Sequence, residues 1–191
     1  MAKLRFYHGL MGAGKSTLAL QVADNFRRAG KSVLCFTGPT RAEGTIESRL
    51  GVNTDAIPFD HTTYFISEVM SETDRVVIDE AQFLAPDQVE ELRALVDMTG
   101  LDVDCFGLKT DFTSRLFPGS QRLIEIADEV HEIQVPMSCW CGKPGAVNAR
   151  VAHGRVQRRG PTVQIGDIDC GYEVLCFDHW SSGRVRGDHK C

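Results

Sequence analysis

A chain of 191 residues, 42% hydrophobic and 25% charged, has the size of one ordinary domain plus a small appendage. It carries enough apolar side chains to bury a core, which excludes a disordered tail. A formal net charge of −5 gives no broad basic footprint, and no stretch approaches a membrane-spanning length, so neither a nucleic-acid nor a membrane partner is expected.

The chain opens with Leu4 to Tyr7, a short apolar run that reads as a strand, and meets glycines at once. That start has no apolar leader region, so a cytoplasmic protein is expected. A helix is predicted over Lys15 to Arg28, closed by Gly30, and a strand over Ser32 to Thr37. A helical stretch over His61 to Met70 and a strand over Arg75 to Asp79 follow. Pro86 to Met98 predicts a helix with Pro86 at its first position, the apolar stripe Val89, Leu92, Leu95 and Val96, and Gly100 as its stop. Val103 to Gly107 is the next strand. Short apolar strands alternating with helices predict an α/β domain with a parallel sheet and flanking helices over residues 1–135.

After Pro136 helical periodicity stops, and glycines, charges and cysteines become frequent. A small second domain is expected over residues 136–191. In it, Val151 to Gln157 and Thr162 to Ile165 read as a hairpin turning at Arg158-Arg159-Gly160-Pro161. Cys35 and Cys105 sit in strand-like surroundings and read as core. Cys139, Cys141, Cys170, Cys176 and Cys191 all fall in the last third. Cys139-Trp140-Cys141 and Cys176-Phe177-Asp178-His179 offer three thiolates and an imidazole, a tetrahedral Zn²⁺ set, although the first pair is closer spaced than usual. Cys170 is the rival ligand, and unpaired thiols are the plainer alternative.

Gly9-Leu10-Met11-Gly12-Ala13-Gly14-Lys15-Ser16 fits G-x-x-x-x-G-K-[ST] between a predicted strand and a predicted helix. Such a loop turns backbone N–H groups around phosphate oxygens, with Lys15 on the β- and γ-phosphates and the Ser16 hydroxyl on Mg²⁺. A nucleoside triphosphate is the expected ligand. Further on, Ile78-Asp79-Glu80-Ala81-Gln82-Phe83 ends an apolar strand where a P-loop fold carries its second metal-side carboxylate, Asp79. Glu80 could polarise a water or take a proton from a substrate hydroxyl, and this segment alone leaves both roles open.

With Gly107-Leu108-Lys109-Thr110-Asp111-Phe112 and Phe117-Pro118-Gly119-Ser120, the chain resembles the type II thymidine kinase family. These are cytosolic enzymes with a P-loop α/β domain and a small zinc-ribbon-like lasso domain that closes over the nucleoside. The resemblance runs over nearly the whole chain, keeps the order of every block, and includes Thr45 to Gly51. It implies an ATP:thymidine 5′-phosphotransferase, with deoxyuridine as a second substrate. Glu80 would be the general base, with Lys15 and Arg41 on phosphate charge and Ser16 and Asp79 on Mg²⁺. The ATP site would run from Gly9 through Ser16 with Asp79, Glu80, Ala81 and Gln82. Met11, Phe83, Leu108, Phe112 and Phe117 would wall the thymine pocket. Val163, Gln164, Ile165 and Gly166 would read the base edge, and Tyr172 would close over it. Cys139, Cys141, Cys176 and His179 would hold a structural Zn²⁺. A homotetramer and inhibition by thymidine triphosphate are also implied. The family often has Gly-Leu-Asp where this chain has Gly107-Leu108-Lys109, and the tail from Ser181 to Cys191 matches no assigned role.

Two other functions compete on the residues alone. A zinc-bearing P-loop ATPase acting on nucleic acid needs only Asp79-Glu80-Ala81-Gln82, but the acidic charge and short chain oppose it. A nucleotide-regulated binding module has no use for a base placed beside Asp79.

Overall fold

The computed structural model describes residues 1–39, 44–69, 71–162 and 170–187. In chain order these form β1 (Leu4–His8), α1 (Lys15–Arg28), β2 (Val33–Thr37), β3 (Thr45–Glu47), β4 (Asn53–Asp55) and β5 (Ile57–Pro58). Next come α2 (Phe65–Glu68), β6 (Arg75–Asp79), a 3-10 turn (Ala81–Phe83), α3 (Pro86–Thr99) and β7 (Asp102–Gly107). The chain then makes α4 (Pro118–Ile126), β8 (Glu129–Glu132), β9 (Val147–Ala152), β10 (Arg155–Val156), β11 (Cys170–Leu175) and α5 (Phe177–Ser182).

Six strands build one sheet in the order β5-β2-β6-β7-β1-β8, and every pairing in it is parallel. A parallel sheet needs cover on both faces, and the strand residues alternate to provide it. Leu4, Phe6, Phe36, Val76, Ile78 and Val103 face Val89, Leu92, Leu95 and Val96 of α3 and Leu123 of α4. Cys35, Val77 and Phe106 face Ala19, Leu20 and Ala23 of α1. Near β1 the second face is polar. There the buried Asp104 is held by Arg75 and by Arg5, and Arg75 also lies over the Phe26 ring at 3.7 Å. Burial pushes the Asp104 carboxyl up, and the two guanidinium groups oppose that shift.

Two elements differ from expectation. The helix expected over His61 to Met70 contracts to Phe65–Glu68 among the described residues. Asp60 folds the segment before it into a turn, its carboxylate accepting from the Thr62 N–H at 2.8 Å. Gln88 Nε2 holds that turn by donating to the Asp60 and Thr63 carbonyls. The second difference is in the small sheet, where the hairpin turns at His153-Gly154, both at positive φ, so β9 pairs with β10 across a two-residue connection. The other flank of β9 pairs antiparallel with β11. Of the expected partner strand Thr162 to Ile165, residues 163–165 lie outside the described residues.

Candidate active site and metal cluster

The C-terminal ends of β1, β6 and β7 converge on one edge of the large sheet, as their parallel register requires. From β1 the chain enters Gly9–Ser16, where Gly12 and Gly14 both sit at φ +82°. A side chain is strained in that left-handed region, so glycine permits the curl. Gly14 precedes α1 without a side-chain cap, which leaves the helix N-terminus able to receive an anion. Lys15 Nζ donates back across the loop to the Leu10 carbonyl at 2.9 Å. Ser16 Oγ donates to Asp79 Oδ2 at 2.8 Å, and both residues are buried. A hydroxyl beside a carboxylate is the oxygen chemistry that Mg²⁺ takes. Thr37, opposite Asp79 in the β2–β6 register, buries a hydroxyl that has no hydrogen-bond partner among the described residues.

Glu80 follows Asp79 at φ 57°, ψ 34°, a left-handed conformation uncommon outside glycine. This turns the chain from β6 into the 3-10 segment. Gln82 Nε2 donates to Glu80 Oε2 at 2.5 Å, while Gln82 Oε1 accepts from the Leu108 N–H at 2.9 Å. Two glycines make room for this bridge. A Cβ on Gly38 would lie 2.8 Å from the Glu80 Cβ, and one on Gly107 would lie 2.8 Å from Gln82 Oε1.

Beside it, Phe83 and Phe117 meet edge to face with centroids 6.1 Å apart, and Leu108, Phe112 and Phe117 are buried. Met11 is half-buried, and its N–H donates to Asn148 Oδ1 of β9 at 2.8 Å. Tyr172 of β11 is tied to the same wall by Arg150, whose guanidinium lies 3.8 Å from the Phe112 ring and donates to the Tyr172 hydroxyl at 2.9 Å. Arg41 and Val163 to Gly166 lie outside the described residues. Lys109 is exposed, and its charge adds to burial in pushing the His8 imidazole below its ordinary range.

Asn148, Arg150 and Trp180 are the residues that sequence reasoning missed. Trp180 Nε1 donates to the Phe112 carbonyl at 3.1 Å. The signal was the alternation Val147-Asn148-Ala149-Arg150, which reads as a strand with a solvated polar face. In the structure both faces are covered, and Asn148 and Arg150 are 3% and 2% exposed.

The ligand atoms of Cys139, Cys141, Cys176 and His179 all lie within 4.8 Å of one another. Cys141 Sγ is 3.9 Å from Cys176 Sγ, and Cys139 Sγ is 3.3 Å from His179 Nδ1. Zinc–sulfur bonds of about 2.3 Å set tetrahedral edges near ~3.8 Å, so this cluster could form a zinc site. The close Cys-x-Cys spacing is accommodated by a tight turn in which the Gly142 N–H donates to the Cys139 carbonyl, with Gly142 at φ +84°. Burial opposes ionisation of Cys139. The Cys141 and Cys176 N–H groups and the His179 ring outweigh it and bring the thiol down to about 6. The Trp140 ring stacks on His179 at 4.1 Å and fixes the imidazole plane. The side chain of Cys170 lies outside the described residues.

An all-parallel sheet whose first strand passes through a glycine loop into a helix, with a Cys₃His cluster beside an antiparallel sheet, defines an α/β protein with a cluster that could form a zinc site. The chain belongs to the thymidine kinase family: the family model described as Thymidine kinase matches residues 2–180. A thymidine kinase of Streptomyces avermitilis is 44% identical over 191 aligned residues, covering 94% of this chain and 88% of that protein. One from Streptomyces coelicolor is 45% identical over 192, with the same coverage. Among solved structures, the Pif1 helicase from Candida albicans overlaps 69% of this chain and 36% of its own at a TM-score of 0.42 and 17% identity, too partial a likeness to bear on function. No helix among the described residues is long and apolar enough to cross a membrane.

Proposed function

We propose that the protein transfers the γ-phosphoryl group of ATP to the 5′-hydroxyl of thymidine, with deoxyuridine as a second substrate. The observation that carries this is the Asp79-Glu80 turn: Asp79 is bonded to the glycine loop through Ser16, and Glu80 leaves the strand in a left-handed turn and is steadied by Gln82. ATP would lie along Gly9 to Ser16, its phosphates on the loop N–H groups and Lys15. Thymidine would sit among Met11, Phe83, Leu108, Phe112 and Phe117, with Tyr172 above it. Glu80 takes the proton as the 5′-oxygen bonds to the γ-phosphorus and the bond to the β-phosphate oxygen breaks, releasing ADP. Ser16 and Asp79 offer the oxygens for Mg²⁺, and the unpartnered Thr37 hydroxyl opposite Asp79 adds a polar group there. When bound, Mg²⁺ neutralises charge developing on the β- and γ-phosphates.

The Cys₃His cluster would hold Zn²⁺ structurally, because four protein ligands leave no open position. Two domains meeting near residue 135, a cytoplasmic location and a homotetramer belong to the same reading. The deciding assay measures ATP turnover alone, with thymidine, and with single-stranded DNA. Stimulation by thymidine with thymidine monophosphate formed supports the proposal, whereas stimulation by DNA alone would replace it with a nucleic-acid ATPase. Glu80→Gln keeps shape but cannot take the proton, so turnover should fall by about 10² to 10⁴ with ATP affinity kept. Near-full turnover in that variant would remove Glu80 from the role of base.

A further inference from the structure

One cation near the glycine loop has no part in the roles above. Arg49 stands in the turn of the β3–β4 hairpin, whose root is fastened to α1: Ile46 is wholly buried against Ala19, Leu20 and Ala23. The turn itself is fixed by Ser48, which is 4% exposed. The Ser48 N–H donates to the Val52 carbonyl at 2.8 Å, and its hydroxyl accepts from the Leu50 and Val52 N–H groups. Gly51 completes the turn at φ +79°. From this rigid base the Arg49 side chain reaches back over the loop, and a Cβ on Gly12 would lie 3.5 Å from Arg49 Nη1. Gly12 is exposed on that side, and Arg49 is exposed too. No hydrogen bond or ion pair holds the guanidinium among the described residues.

The guanidinium thus stands beside the loop with its donors unused by any carboxylate or carbonyl among the described residues. That place, beside a glycine loop whose helix N-terminus can receive an anion, suits a cation that would meet the terminal phosphates of the donor nucleotide. We propose that Arg49 is a further catalytic residue, an arginine supplied by the same chain that closes onto the transferring phosphoryl group from outside the loop. The inference rests on the phosphoryl-transfer function proposed above. Lys15 approaches from within the loop, bonded to the Leu10 carbonyl, so the two cations would flank the phosphates. Arg49 donates hydrogen bonds to phosphate oxygens as charge spreads over them, and it neither gains nor loses a proton. Guanidinium geometry suits this task because its planar fork matches phosphate oxygens in pairs.

The test uses the full chain with Arg49→Met and Arg49→Lys, measuring kcat, both KM values, ADP affinity, zinc content and melting temperature. An arginine on the transferring group is worth about 10³-fold or more, so kcat of Arg49→Met should fall by roughly that factor. Arg49→Lys should recover only part of it. ADP affinity, zinc and melting temperature should stay at parental values, because ADP lacks the phosphate that Arg49 meets. An active parent with kcat unchanged in Arg49→Met overturns the proposal alone. So does a kcat loss matched by equal losses of ADP affinity and melting temperature, which marks a structural role. A parent that fails to phosphorylate thymidine overturns the proposed function, and this inference with it.

Discussion

Arg150 is 2% exposed and has no carboxylate partner among the described residues, an unusual state for a cation. Its compensation is spread over neutral groups: the Phe112 ring face, the Tyr172 hydroxyl, and the Thr162 carbonyl at 3.1 Å. A desolvated cation over an aromatic face is favourable, and a planar guanidinium can stack while donating in its plane. Lysine has no such geometry, so Arg150→Lys is not a conservative change here. Both Arg150→Lys and Arg150→Met should free Tyr172 and tilt Phe112, raising the thymidine KM about tenfold to a hundredfold, the scale of one lost cation–π contact with its hydrogen bonds. The ATP KM should stay near the parental value, because the contacts of Arg150 run to Phe112, Tyr172 and Thr162. Tyr172→Phe, which keeps the ring and loses the hydroxyl, should reproduce part of the effect. Steady-state kinetics with each substrate varied separately reads this, and equal rises in both KM values would refute it.

At the scale of elements, β9 links the Cys₃His cluster to the glycine loop and the aromatic wall. One of its faces sends Ala149 into the cluster's apolar packing with Cys139, Leu175 and Cys176, while the other sends Asn148 to the glycine loop and Arg150 to the aromatic wall. The helix α5 adds a second link, since His179 belongs to the cluster and the next residue, Trp180, bonds the Phe112 carbonyl. Removing the metal should therefore loosen the nucleoside side more than the phosphate side. Purified protein should contain about one Zn²⁺ per chain. Cys176→Ser should raise the thymidine KM more than the ATP KM, and elemental analysis finding no zinc in chelator-free protein would end this line. The same strand shows where sequence reasoning reaches its limit. The strands β1, β2, β6 and β7 and the helices α1 and α3 were legible because buried parallel strands and amphipathic helices obey local periods. The helix α4 and strand β8 went unread, as did β5, a two-residue edge strand. The pairing of β9 with β11 depends on a non-local partner, so nothing local marked Val147 to Arg150 as a strand covered on both faces. The glycine loop, the Asp79-Glu80 pair and the cysteine cluster were visible as motifs. The supporting bonds of Asn148, Arg150 and Trp180 exist only once the two sheets meet.

At the scale of the whole molecule, β9 ties the glycine loop and the aromatic wall together, through Asn148 to the Met11 N–H and through Arg150 to the Phe112 ring. Met11 belongs to the loop and its N–H is held by Asn148, and the proposed function puts its side chain in the thymine pocket. In the function proposed above the donor and acceptor subsites would lie side by side, as a direct transfer between their ligands requires. A thymidine that carries its own triphosphate can use both, with the base among Phe83, Phe112 and Phe117 and the phosphates directed at Gly12 to Ser16. One linked ligand then gains the contacts of two and loses the translational freedom of only one. The end product would thus act as a feedback inhibitor through the catalytic site itself, without a separate regulatory pocket. Inhibition by thymidine triphosphate should be competitive with thymidine and should weaken as ATP rises. Cytidine triphosphate shares the phosphates but presents a different base edge, so it should inhibit at least about tenfold less well, the discrimination expected when a site's hydrogen-bonding groups are left unpaired. Arg150→Met should relax the inhibition together with thymidine binding, because both ligands lean on the same wall. Equal inhibition by the two triphosphates would show that only the phosphates are read, and inhibition unaffected by thymidine concentration would place the inhibitor elsewhere on the molecule.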